Sequence, residues 1–481
     1  MRTTELRFVE KLEQNSIDHP ENIALISAET GKNMTYGELW EYSGRVYRFL
    51  KQKNIGKEDV VMIVVPRGIN PIIALIGIWR AGAAAIMLEA DYAPERMVYI
   101  LQDAECVLKI DEDLLTRINM NCDSLEGHEE TSPHDLAYLI YTSGTTGKPK
   151  GVMQEYGVLD MCVRMHYCGE RSVVDGRFAL ITPLSFAVSM IVIPPLLYNL
   201  QTVAVIPVNI VKDPDRFPAC IEQYQLTTLF IIPSMLKRLK RIPDSLTKII
   251  VGGETAKRTF SDQVEIFCGY GQSESGFNIS TFLIDREYDI TPIGRIGEQK
   301  AKLCIMDDGG NVLPIGEKGN LCYEAPYFRG YLGLPDLTEL SHLNGYIRSG
   351  DVGVICPDGT IRITGRIDEM IKIRGNRIEL AEVEAVFREI LQVEWVGVRG
   401  ILDQPHPYLG ADYEEEPKRS VEEAIRLARR KLPSYMIPAC FMRIDCIPRD
   451  ANGKIVKREL PIPDRNDGEK EKQESRGGNR D

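Results

Sequence analysis

Metal-ligand and disulfide spacing are missing from this sequence. Its six histidines form no His-x-x-x-His pair, and its 11 cysteines, an odd number, include no Cys-x-x-Cys. The nearest pairs, Cys162/Cys168 and Cys440/Cys446, suggest neither a zinc site nor a disulfide framework, and free thiols suit a reducing cytosol. Basic excess is missing too. Lys+Arg number 58 against 70 Asp+Glu, a net charge of −12, which argues against a dedicated nucleic-acid binder but leaves room for a local basic pocket that takes phosphates. The opening residues MRTTELRFVEKLEQNS lack the apolar core of a signal peptide. One uncharged run, Phe178–Val211, is long enough to span a bilayer. Pro183, Pro194, Pro195 and Pro207 interrupt it, and Asn199, Gln201 and Asn209 are polar, so buried strands and a helix explain it better than a membrane span.

What is present is an ordinary globular balance: 481 residues, 43% hydrophobic and 27% charged, enough for about three folding lobes. Residues 60–66 (VVMIVVP) read as a buried strand, 70–81 as a helix, 84–88 (AAIML) as a strand and 94–104 as a helix. That alternation implies parallel sheet with crossover helices, and it recurs over 178–211, 220–240 and the strand 248–251. After about residue 290, short β-like runs (KLCIMD, GNLCYEA, DGTIRIT) separated by Gly, Pro and Asn-Gly turns indicate a small β-barrel. From Arg366, helix-like LAEVEAVFREIL and SVEEAIRLARRKL alternate with strand-like EWVGVRGIL and ACFMRID, as in a small α+β domain. Residues 463–481 carry 11 charges and no aliphatic or aromatic side chain, so they read as a disordered tail. The expected division is 1–365, 366–462 and that tail.

The sharpest local signal is Tyr141-Thr-Ser-Gly-Thr-Thr-Gly-Lys-Pro-Lys-Gly151, entered from the strand LAYLIY. Glycines let backbone N–H groups converge, hydroxyls add donors, and Lys148 and Lys150 add positive charge, a combination suited to phosphate. It is not a Walker A loop, because Pro149 follows Lys148 where that motif needs Ser or Thr opening a helix. Further along stand Trp79-Arg-Ala-Gly, Asp91-Tyr-Ala-Pro-Glu-Arg96, Gly269-Tyr-Gly-Gln-Ser-Glu274, Ser349-Gly-Asp351, Gly365-Arg-Ile-Asp through Glu379, Leu432-Pro-Ser-Tyr-Met-Ile-Pro438 and Asn452-Gly-Lys454.

In that order, over nearly the whole chain, these segments resemble the motifs of the adenylate-forming superfamily: acyl-CoA synthetases, luciferases and adenylation domains of nonribosomal peptide synthetases. The resemblance implies an α/β fold, with a large AMP-binding domain of two α/β subdomains plus a small barrel, followed by a small mobile lid. It implies an AMP-forming acid–thiol ligase that uses ATP and Mg²⁺. Joining a carboxylate to the α-phosphate brings two anions together, so the site must neutralise charge and align the attack. By resemblance, Thr142, Ser143, Gly144, Thr145, Thr146, Gly147 and Lys148 hold phosphate, with Thr142 also catalytic. Glu274 is the magnesium ligand, a hard oxygen donor; read alone it is a surface carboxylate after a glycine turn. Ser273, like Thr142, holds a phosphate oxygen, and Gly271 belongs to the same nucleotide-binding segment. Asp351 accepts the ribose hydroxyls, Arg366 reaches ribose or phosphate, and Gly253, Glu254 and Tyr270 border the adenine. Lys454 bridges the acyl carboxylate and α-phosphate; in isolation a lysine after Asn-Gly is a solvent-facing turn residue. Asp368 is the implied hinge.

Departures bear on the substrate. Amino-acid activators of this superfamily usually carry Phe-Asp-x-Ser, the Asp pairing with the α-ammonium; here the segment is Phe186-Ala-Val-Ser189, and Ala187 cannot make that pair. The other positions matched by spacing, Val188, Ile191, Ile231, Ile250, Gly252, Gly269, Phe277 and Asn278, are apolar or small with one amide. The expected substrate is an uncharged small acid, or an amino acid whose amine is held elsewhere. Ile363 replaces a frequent aromatic near the nucleotide, and Tyr156 a frequent histidine. No carrier-domain Gly-Gly-x-Ser follows Lys454 and no condensation domain precedes the chain, so a free-standing cytoplasmic enzyme is expected. The segment IKIRGNRIEL favours a separate phosphopantetheinylated carrier protein as acceptor, whereas Tyr-Gly-Gln-Ser-Glu leans toward CoA. A catalytically silent nucleotide or acyl binder is the remaining reading.

Overall fold

The computed structural model describes residues 7–143, 148–168, 171–297, 301–367, 370–402, 404, 407–445, 448, 457, 460 and 461. The chain divides into two units. The first comprises Met1–Asp91, Leu101–Tyr141 and Gly151–Asp368; the second comprises Tyr92–Ile100, Thr142–Lys150 and Glu369–Asp481. The second unit therefore gathers two short excursions from the N-terminal part of the chain besides the C-terminal residues expected of it.

Two mixed sheets organise the first unit. One orders its strands Phe328–Tyr331, Lys150–Glu155, Leu136–Thr142, Ala84–Leu88, Val60–Val64 and Leu108–Asp111. The other runs Ser280–Leu283, Glu265–Tyr270, Lys248–Val251, Thr228–Ile231, Arg177–Leu180, Thr202–Val205, Ile23–Ser27 and Asn33–Thr35, parallel inside with an antiparallel strand at each edge. The helix Asn70–Arg80 has every residue from Pro71 onward buried, as its continuous apolar sequence requires. The uncharged run resolves into Arg177–Leu180, the helix Ala187–Tyr198 with Pro194 and Pro195 inside it, and Thr202–Val205. Among the described residues no helix is long and apolar enough to cross a membrane. The β-rich region is a six-stranded antiparallel sheet with the long strands Tyr346–Ile355 and Thr360–Arg366 adjacent.

Two motif residues anchor this unit rather than face a site. Arg80 is fully buried with its guanidinium 3.5 Å above the Trp40 ring, and it donates to the carbonyls of Trp40, Leu125 and Gly127 and to Ser43. Burial lowers its pKa to about 10. Tyr156 is buried with its hydroxyl on the carbonyls of Trp79 and Ala83, which accounts for a tyrosine there in packing terms.

The C-terminal part of the second unit is a three-stranded sheet, Val396–Ile401, Tyr408–Tyr413 and Cys440–Arg443, with the helices Leu380–Leu391 and Val421–Lys431. Its own core includes Val383, Phe387, Leu409, Ala411 and Ala428.

Candidate active site

In the first unit, cross-strand register builds the centre of the site. Asp351 and Arg366 are direct partners between adjacent antiparallel strands. Arg366 Nη1 donates to Asp351 Oδ1 at 2.5 Å. Tyr270, at the end of a parallel strand, donates its hydroxyl to Asp351 Oδ2 at 2.6 Å. Burial, then the neighbouring Asp351 charge, pushes the Tyr270 phenol far above its ordinary pKa, so it stays a donor. Asp351 itself is only 5% exposed. Three residues far apart in sequence and expected at the nucleotide are thus together. Gln272, Ser349 and Tyr323 join them: Gln272 Nε2 donates to the Ser349 carbonyl at 2.8 Å, and the Tyr323 hydroxyl donates to Gln272 Oε1 at 3.1 Å.

Glu274 lies on a tight turn after this strand. Ser275 Oγ lies within donating distance of the carbonyls of Gln272 and Phe277, which share its one proton, and Gln154 Nε2 donates to the carbonyls of Ser273 and Glu274. Gly276, at φ +69°, has no room for a side chain: a Cβ would lie 2.6 Å from Val158 and 2.9 Å from Gln154. The Glu274 carboxylate is 3% exposed and accepts the Tyr331 hydroxyl at 2.9 Å, so it is not a surface carboxylate. No group of three or more His, Cys, Asp or Glu that could hold a metal ion exists among the described residues. One buried carboxylate fits Mg²⁺, which takes one or two protein carboxylates and completes its shell with phosphate and water.

The candidate acid-binding face combines the helix start Ala187–Val188–Ile191 with strands of the eight-stranded sheet. Side chains alternate across those strands. Phe230 and Ile250 are register partners and share one core. Ile231 belongs to the other core with Leu229, Ile249 and Val251, on the opposite face of its strand from Phe230. A Cβ on Gly252 would lie 2.8 Å from the Gly269 carbonyl and 3.3 Å from the Phe230 ring, so glycine is required there. Phe277 is buried, while Asn278 and Phe186 are half-buried. A Cβ on Gly269 would sit 3.6 Å from Asn278 Oδ1, and one on Gly271 3.7 Å from it. Gly253 adopts φ +81°, and Glu254 Oε2 accepts the Ser234 amide at 3.2 Å.

In the second unit, Thr142 Oγ1 is buried without a hydrogen-bond partner among the described residues. An orphaned hydroxyl of this kind suits a phosphate oxygen. Ser143 Oγ donates to the Arg377 carbonyl and accepts the Glu379 amide, both at 3.2 Å. Lys148 Nζ stands 5.8 Å from the Tyr99 ring centre. Arg96 and Glu382 form a buried ion pair. Gly144, Thr145, Thr146, Gly147, Asp368 and Lys454 lie outside the described residues, as does 463–481.

The chain matches the family model described as AMP-binding enzyme over residues 12–332. It is 29% identical to bacitracin synthase 1 of Bacillus licheniformis, over 93% of this chain but 9% of that protein. The chain thus spans a small part of the length of that curated relative. Among solved structures it is similar to an o-succinylbenzoate CoA synthetase from Bacillus subtilis, with TM-score 0.82 and 23% identity, covering 94% of this chain and 97% of that one. It is also similar to an artificially fused adenylation–PCP di-domain from Klebsiella oxytoca, with TM-score 0.79 and 21% identity, covering 92% and 94%. Those likenesses agree on the fold, and together with the family match over two lobes' worth of sequence they make the chain a member of the AMP-binding, adenylate-forming enzymes.

Proposed function

We propose that the chain activates a small carboxylic acid lacking a free α-ammonium with ATP, forms an acyl-adenylate and pyrophosphate, and passes the acyl group to the phosphopantetheine thiol of a carrier protein. The observation that supports this most is the assembly of Asp351, Arg366 and Tyr270 in the first unit, with Glu274 on the turn that follows Tyr270. Asp351 accepts ribose hydroxyls, and Arg366 pairs with that carboxylate. A magnesium ion on Glu274 would neutralise phosphate charge during transfer. Thr142 donates to a phosphate oxygen, and Lys454 brings an ammonium to the two anions as they join. A carboxylate oxygen of the acid attacks the α-phosphorus, and the bond to pyrophosphate breaks on the opposite side.

The apolar face around Ala187, Phe230, Ile250 and Phe277 supports an uncharged acid. A buried ammonium without a carboxylate partner loses hydration with nothing in return. CoA is the second acceptor reading, favoured by Gln272 in its motif. Acid-dependent exchange of labelled pyrophosphate into ATP, across amino, aryl and aliphatic acids, tests the first half-reaction. No exchange with any acid would favour a nucleotide binder. Offering preformed adenylate to a pantetheinylated carrier and to CoA then separates the acceptors.

A further inference from the structure

A carboxylate that reads two hydroxyls must hold one orientation, because donors meet its oxygens over a limited angular range. Backbone pairing with Arg366 fixes where Asp351 starts, and the Ser349 hydroxyl accepts its amide at 3.0 Å, but neither sets the plane of the carboxyl group. Side-chain partners do. Arg366 holds Oδ1, Tyr270 holds Oδ2, and Gln272 Nε2 stands 3.4 Å from Oδ2 and 3.5 Å from the Tyr270 hydroxyl.

The direction of the Gln272 amide follows from its neighbours. The Ser349 carbonyl can only accept, so the NH₂ end must face it at 2.8 Å. The oxygen end then receives the buried Tyr323 hydroxyl at 3.1 Å. One N–H is thus spent on Ser349, and the other is directed at the shared edge of Asp351 and Tyr270. At 3.4–3.5 Å these last contacts are long, which suits steering rather than tight binding.

We propose that Gln272, locked by Tyr323, is a positioning residue that sets the plane of the Asp351 carboxylate and thereby the preference for ribonucleotides over deoxyribonucleotides. The inference rests on Asp351 as the ribose acceptor. It joins the Tyr-Gly-Gln-Ser-Glu and Ser-Gly-Asp segments into one reader of the sugar, with neither Gln272 nor Tyr323 touching the nucleotide's reacting atoms.

The test compares ATP with 2′-deoxy-ATP and 3′-deoxy-ATP in pyrophosphate exchange, as ratios of kcat/KM, in the full-length wild type, Asp351→Ala, Gln272→Met and Tyr323→Phe. Methionine keeps the length of Gln272 without its amide. Wild type should prefer ATP, and Asp351→Ala should collapse that preference. Gln272→Met should lower the ratio by about threefold or more, mainly through KM for ATP, and Tyr323→Phe should move it the same way by less. A purely structural role would lower the melting temperature and leave the ratio alone. An unchanged ratio in Gln272→Met beside a collapsed one in Asp351→Ala overturns the positioning role. An unchanged ratio in Asp351→Ala overturns the ribose reading itself. Should Gln272→Met fail to fold, an unchanged ratio in Tyr323→Phe decides against the proposal.

Discussion

Asp351 and Asp412 are both buried aspartates on interior strand positions, and they are treated oppositely. Asp351 is met by a guanidinium, a phenol and an amide. Asp412, in the C-terminal sheet, is fully buried, yet neither carboxyl oxygen has a hydrogen-bond partner among the described residues. Burial pushes its pKa up to about 6, and the Arg399 charge on the neighbouring strand only partly opposes this. The first carboxylate is aimed by its partners; the second is a cost that a neighbouring charge only partly offsets. Buried charge in this chain is therefore informative only together with its partners.

The largest effect expected from that contrast is on activity. Asp351→Asn should lower kcat/KM for ATP in pyrophosphate exchange by about 100-fold, because charge-assisted hydrogen bonds contribute about 1.5–3 kcal/mol each. Asp412→Asn should leave exchange unchanged, and a loss there would break the comparison. Its effect should be on stability. A carboxyl whose folded pKa is raised destabilises the fold when ionised. The penalty is absent below the unfolded value near 3.8, grows as pH rises, and is complete above about 6. At pH 7.5 Asp412→Asn should raise the melting temperature by a few degrees, with about 3 kcal/mol as the upper bound, and the gain should vanish near pH 4. Paired melting curves at the two pH values check the sign. The smallest effect concerns a carboxylate that is not there. Ala187→Asp should shift the ratio of specificity constants toward the α-amino acid by about tenfold, if the new pair is worth about 1.4 kcal/mol. Exchange rates for an α-amino acid and its des-amino analogue measure that ratio. An unmoved ratio would mean that an ammonium is held by other groups, with Asn278 the first to examine.

Regular elements were readable because burial writes them in periodic form. LAEVEAVFREIL is the helix Leu380–Leu391 and AAIML the strand Ala84–Leu88. Segments 60–66 and 94–104 shorten to Val60–Val64 and Pro94–Asp103, each losing end residues. Candidate site residues stand out in sequence where one segment holds several functional groups, as in Tyr270–Glu274. Strand faces alternate, so Ile231 and its neighbour Phe230 lie in different cores, and spacing alone does not tell which of the two faces a site. Gln272 and Tyr323 are 51 positions apart, and nothing in either segment names the other as its partner. Nothing in the sequence around Asp412 marks a strand or a buried carboxylate, and its want of hydrogen-bond partners among the described residues exists only in three dimensions.

Arg80 is held differently from the arginines that sit in ion pairs. Its direct acceptors are three backbone carbonyls, a hydroxyl and the face of an indole ring. None of these acceptors takes up a proton in moderate acid, although the Glu126 and Glu13 charges also act on the guanidinium. The hydrogen bonds that tie the helix Asn70–Arg80 to the carbonyls of Leu125 and Gly127 therefore have no titrating acceptor of their own. Acid that strips the carboxylate partners from arginines elsewhere should leave these hydrogen bonds in place, and unfolding should begin at the regions whose arginines depend on Asp or Glu.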